Sequence, residues 1–146
     1  MKSFFKEIFA YHHHFNQKFI EQVKKHLDEL PDRVVGLLSH NINAHRVWNA
    51  RVKYEEKPIL EDAYALSKIA ELDRENYQTT LDIITNHDLD EIITYKSMKG
   101  DPYEDSIRDI LFHVANHHTH HRGQVISDIR QSGIVPIPSD YILMKR

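Results

Sequence analysis

The sequence predicts an all-α protein, a four-helix bundle forming one domain over residues 1–146, on three observations. Four stretches carry apolar residues at helical spacing and each is long enough for a bundle helix. Four glycines and five prolines are too few for a many-turned β sandwich or a disordered chain. A length of 146 residues suits one domain with a real hydrophobic core.

The first helix is expected from Ser3 to Leu30, with Ser3 as N-cap and Pro31-Asp32 as the break. Ile8, Phe15, Phe19, Val23 and Leu27 fall on one face of it. A second helix, Asp32 to Val52, has Val34, Leu37, Leu38, Ala44, Val47 and Trp48 as its apolar side. Residues 53–58 are polar and read as a connection. A third helix is expected over Glu61 to Asn86, with Leu66, Ile69, Leu72, Ile83 and Ile84 inward.

Residues 89–104 change character. Ile92, Ile93, Thr94 and Tyr95 favour extended backbone, and Lys99-Gly100-Asp101-Pro102 signals a turn, which together suggest a small hairpin. The fourth helix follows from Glu104 and stops at Gly133, a residue suited to the left-handed conformation past a helix end. The tail from Ile134 to Arg146 carries Pro136 and Pro138 and reads as an ordered strap rather than a helix.

The hydrophobic share of 40%, the charged share of 28% and the net charge of −3 are those of an ordinary globular chain. No basic block favours DNA or another polyanion, so no nucleic-acid partner is expected. No apolar run approaches the roughly 20 residues that cross a bilayer, so no membrane partner is expected either. Charge interrupts the first fifteen residues too early for a secretory signal. The absence of cysteine excludes disulfides, thiolate ligands and a cysteine nucleophile, and is compatible with a cytoplasmic location.

Histidine is the unusual component. There are twelve, and five of them fall between 113 and 121. Each helical residue advances about 100°, so these five cannot share a face. With Ile110 set at zero, the apolar stripe of the fourth helix spans roughly 0° to 100°. His117 and His121 fall near −20° and +20°, and His118 near 80°, as a reserve candidate. His113 and His120 lie on the flank. His117 and His121 are also an i, i+4 pair able to share one ion.

A bundle site draws ligands from facing helices, and His40 stands between Leu37 and Ala44 on the expected inner face of the second. His45, turned about 140° from His40, should point elsewhere. His12 lies on the inner side without a partner at ligand spacing, and His13 and His14 read as surface residues. Arg51 reads as an anion-binding group or as half of a buried salt bridge. Three neutral imidazoles suit zinc, nickel, iron or copper, and leave coordination positions open for water or substrate. The plain alternative is a set of packed, hydrogen-bonded histidines with no ion.

At these residues the chain resembles the DinB-like (DinB/YfiT) superfamily of metal-binding four-helix bundles. The stretch HVANHHTHHRGQV at 113–125 is similar to its most recognisable motif: histidine, three residues, histidine, then Arg-Gly-Gln. LLSHNINAHRVWNARV at 37–52 resembles its second-helix motif, and the Gly-x-x-Pro start of the tail also fits. The resemblance implies an up-down-down-up order with a long crossover between the second and third helices. It implies one divalent metal, zinc or nickel first and iron or copper next, on His40, His117 and His121. It also implies a homodimer. His45, at a position often acidic in the family, and His12 to His14 depart from the pattern.

The characterised enzymes that this fold resembles include thiol S-transferases and isomerases that use low-molecular-weight thiols, and the resemblance implies a metal-dependent thiol S-transferase, or a hydrolase, acting on a small-molecule substrate. The competing expectation is a non-catalytic metal-binding protein of stress response or interaction.

Overall fold

A computed structural model describes residues 1–146. Four helices carry the fold: α1 (Lys2–Lys25), α2 (Arg33–Val52), α3 (Leu66–Asn86) and α4 (Ile107–Gln131). Strands β1 (Ile92–Lys96) and β2 (Pro102–Ser106) form an antiparallel hairpin between α3 and α4, pairing Ile92 with Ser106 and Lys96 with Pro102.

Each departure from the expected boundaries has a local cause. Met1, not Ser3, sits at the N-cap of α1. That helix stops at Lys25 rather than Leu30, a short 3-10 turn covers Leu27–Glu29, and Leu30 is extended at φ −102°, ψ 149°. A proline clashes with a helical residue before it, so Pro31 forces Leu30 out of the helix. Helix α3 starts at Leu66 rather than Glu61 because Tyr64 pins the preceding segment to α2. Its N–H donates to Ser39 Oγ (3.0 Å), and its hydroxyl donates to Asn43 Oδ1 (2.9 Å).

The fourth helix begins at Ile107, not Glu104, because Glu104 pairs with Thr94 in the hairpin. Ser106 then caps α4, its Oγ accepting from the Asp109 N–H at 3.1 Å. The tail runs extended along α1 before a last 3-10 turn at Tyr141–Lys145, which the strap reading did not anticipate. Tyr11 donates to the Ser139 carbonyl (2.7 Å) and Gln22 to that of Val135 (2.9 Å).

Gly133 is the one residue past α4 whose backbone demands glycine, with φ at +81°. A Cβ there would meet nothing within 4 Å, so any cost is backbone strain alone. Gly133→Ala is expected to destabilise the protein by about 1 kcal/mol, measured by urea unfolding.

Helix α1 packs along α3, and α2 along both α3 and α4, whereas α1 and α4 meet over a shorter stretch. Lys2 reaches the Thr85 carbonyl while Gln17 reaches that of Ala70, so α1 and α3 run oppositely. Arg33 lies beside Asp128 and His45 beside His118, so α2 and α4 also oppose. Ile42 meets Asn76 and His45 meets Thr80, so α2 and α3 ascend together.

The interior is layered. Phe5, Phe9, Val52, Ile83, Ile93 and Ile110 belong to an apolar cluster at one end. Phe15, Phe19, Val23, Val34, Val125 and Ile129 belong to a second at the other. Along the helices, a polar stratum separates them: His12 and Asn16 from α1, Asn41, His45 and Asn49 from α2, Asp73, Asn76 and Thr80 from α3, and His118 and Arg122 from α4, all buried. The face of α2 turned to the core is thus largely polar, and Leu37, Leu38, Ala44, Val47 and Trp48 are only half-buried.

Candidate metal centre

Helices α2 and α4 bring His40, His117 and His121 together, with one ring nitrogen of each lying within 4.8 Å of the others. The site is not in the core, as the helical projection had it. His40 is exposed and the other two are half-buried, so the three line the outer edge of the α2–α4 seam.

Two of the rings are fixed by neighbours on their own or the facing helix. His117 Nδ1 lies 3.1 Å from Asn41 Oδ1, and His121 Nδ1 lies 2.7 Å from Gln124 Oε1. Amide oxygens only accept, so both Nδ1 atoms carry the proton. Each Nε2 is then a bare lone pair, and the two stand 3.2 Å apart. Lone pairs at that distance repel unless a proton or a cation lies between them. Tetrahedral zinc, with nitrogens at about 2.0–2.1 Å, sets two of them roughly 3.3 Å apart. The donor set and its spacing therefore fit a divalent ion.

The His40 ring completes the cluster, with its centroid 4.6 Å from that of His121 and 5.2 Å from that of His117. Burial, and then the neighbouring imidazoles led by His121, hold His117 at about 4 and keep it neutral at pH 7. His40 is lowered too, by burial first and His121 second. Neutral imidazole is the form that binds a metal.

The flanking residues resolve otherwise than expected. Arg51 is not half of a buried salt bridge. Its guanidinium lies over Trp48 (4.4 Å) and Tyr95 (4.7 Å) and donates to the Lys96 carbonyl at 3.2 Å. His113 is exposed and sits edge-on to Trp48, 5.0 Å between centroids.

The family model described as the DinB family matches residues 2–146. The chain belongs to the DinB family. No curated protein matches it. Within this DinB-family chain, the deepest histidines are not the motif pair but His12, His45 and His118, each at most 4% exposed. His45 was expected to point elsewhere than the inner face and is instead buried in it, and His12, expected on the inner side without a partner at ligand spacing, is buried there against His118.

A directional network joins them. Thr80 donates to Asn49 Oδ1 (3.1 Å), so its oxygen accepts from His45 Nε2 (2.7 Å). His45 Nδ1 is then bare and accepts from His118 Nε2 at 3.0 Å. His12 stacks on His118, 5.2 Å between centroids, and its Nδ1 lies 2.7 Å from Arg122 Nη2. Asp73 closes the stratum, accepting from Asn16 (2.7 Å) and Gln17 (2.8 Å) and meeting His13 Nδ1 at 2.6 Å. Periodicity alone missed this group, although its signal was present in the placing of His118 within the apolar stripe.

Proposed function

We propose that His40, His117 and His121 hold one divalent metal ion, zinc or nickel in preference to iron or copper, and that the site serves a metal-dependent reaction of the thiol S-transferase type on a small molecule. The observation that carries the metal is the 3.2 Å approach of two Nε2 lone pairs whose rings are locked at Nδ1. Asn41 and Gln124 orient the ligands and hold the tautomer, a role that second-layer groups fill in metal sites generally. Exposure of His40 leaves the outer side of the cluster open to a thiol or substrate. A divalent ion there would supply Lewis acidity that makes a nearby thiol or water more acidic. The contact directions between helices support the up-down-down-up order that the family resemblance implies.

A metal-binding protein without turnover is the second reading. It is favoured by the fact that a groove of about 380 Å³ contains none of the three histidines.

Elemental analysis of protein expressed without a histidine tag tests the metal. About one equivalent is expected, lost in His121→Ala and in His40→Ala, with affinity down about 10–100-fold in Gln124→Ala. Protein free of zinc, nickel, iron and copper, or an unchanged metal content in His121→Ala, would refute the assignment. Turnover of a low-molecular-weight thiol with an electrophile, absent in His40→Ala, separates the enzyme from the binding protein.

A further inference from the structure

The short α1–α4 contact leaves a groove of about 380 Å³ on the side of α4 away from the three clustered histidines. That volume lies within the range of small-molecule sites, roughly 300–1,000 Å³. Phe4, Phe5, Ile8 and Phe112 give it apolar walls, and the tail closes one side with Tyr141. Phe4 and Phe112 are 55% and 61% exposed, an unusual position for two phenylalanines on neighbouring helices.

Asn116, Thr119 and the carboxylate of Asp140 also line the groove and are exposed to solvent; of its buried polar groups, one is unspent. Tyr11 also lines it, but its hydroxyl is committed to the Ser139 carbonyl. His12 lines it from below, buried at 3% exposure. An arginine has no acceptor, so the contact of Arg122 Nη2 with His12 Nδ1 makes that nitrogen the bare one. The proton of the neutral ring then sits on Nε2, which meets no partner within the protein.

Charge points the same way. Arg122 is 6% exposed, and its Nε and Nη1 have no hydrogen-bond partner. The nearby carboxylate, Asp73, already serves Asn16, Gln17 and His13. A buried guanidinium that no carboxylate pairs with makes the ground behind His12 electropositive and strengthens its N–H as a donor. A neutral histidine used as a donor rather than a base is an established device.

We infer that the α1–α4 groove is a binding site for an amphipathic monocarboxylate, its carboxylate on His12 Nε2–H and its apolar body between Phe4, Phe5, Ile8 and Phe112. The site is separate from the α2–α4 histidine cluster and does not depend on an ion there. Arg122 acts through His12 and is a positioning residue.

Octanoate is the probe, with 1-octanol and octylammonium as matched controls. Octanoate should raise the thermal midpoint and shift the His12 Nε2–H resonance in long-range proton–nitrogen spectra, with equal affinity in chelated and zinc-loaded protein. Octanol and octylammonium should bind about tenfold more weakly or worse, as expected for loss of a hydrogen bond to a charged acceptor. His12→Phe should weaken octanoate to a similar degree. Phe112→Glu, at an exposed position where folding is not at stake, should weaken binding by about tenfold or more, because it removes an apolar wall and adds a second carboxylate to that of Asp140 in the lining. The inference is overturned if octanoate does not bind, if octanol binds as tightly, if Phe112→Glu leaves the affinity unchanged, or if chelation removes binding.

Discussion

Below pH 6.5 the protein should lose stability steeply and unfold between roughly pH 5.5 and 4.5, with chelator present to hold any metal contribution aside. The cause is the buried stratum. Burial is the largest influence on His12, His45 and His118, and the charge of Arg122 adds to it for His12 and His118. All three are held below the ordinary histidine value of 6.5, His45 at about 4. The folded chain therefore binds fewer protons than the unfolded chain as pH falls through 6.5. Above that pH the three groups cost nothing. Below it each removes about 1.4 kcal/mol per pH unit, or about 4 kcal/mol per unit together, until its own folded value is reached. Two such units remove about 8 kcal/mol, which exhausts a domain near the low end of the usual range of about 5–15 kcal/mol. Near-ultraviolet circular dichroism against pH measures the transition, and His45→Gln should reduce its steepness by about a third. A native spectrum retained at pH 4 would show that the trio accepts protons inside the fold.

The second large effect is metal linkage. An ion that binds the folded state alone, at a free concentration about 1,000 times its dissociation constant, adds about 4 kcal/mol of stability. In a chain of this size that raises the thermal midpoint by about 10 °C over chelated protein. His40→Ala and His121→Ala should show no such difference. Because His117 is held at about 4, its competition with protons is delayed, and the difference should persist at pH 6. Equal midpoints with and without chelator in the unaltered protein would leave the three histidines as hydrogen-bonded surface groups.

Much of this was legible in the sequence, and the failures are informative. Helices α2 and α4 and the turn at Gly133 follow from patterning and punctuation, and the hairpin from β-branched residues before a Gly-Asp-Pro turn. That His40, His117 and His121 lie close together was also legible, but for a partly mistaken reason. The buried arc of α4 is centred nearer His118 than Ile110, so His117 and His121 lie at its edge. On α2 the error was one of reference. The angle from His40 to His45 was correct, but His40 is the exposed member, and turning about 140° from it leads into the core. Apolar periodicity locates poorly a face on which Ser39, Asn41, Asn43, His45 and Asn49 are buried among only four apolar residues, Val34, Ile42, Ala50 and Val52. The start of α3 was hidden for a similar reason, since only the tertiary anchoring of Tyr64 stops the helix from beginning earlier.

The asparagines of the α2–α3 seam carry a consequence of their own. Asn76 donates to the Ile42 carbonyl at 3.1 Å and Asn49 to that of Asn76 at 3.3 Å, and His45 reaches Thr80 at 2.7 Å. Leucines packed in such a seam would tolerate a slide of one helical turn, about 5.4 Å, because one apolar contact replaces another. Amides matched to particular carbonyls do not. A slide would strand several buried polar groups at once, each costing about 1–3 kcal/mol. The seam works as a key cut for one lock, and it fixes how far α3 may travel against α2 before any ligand is bound.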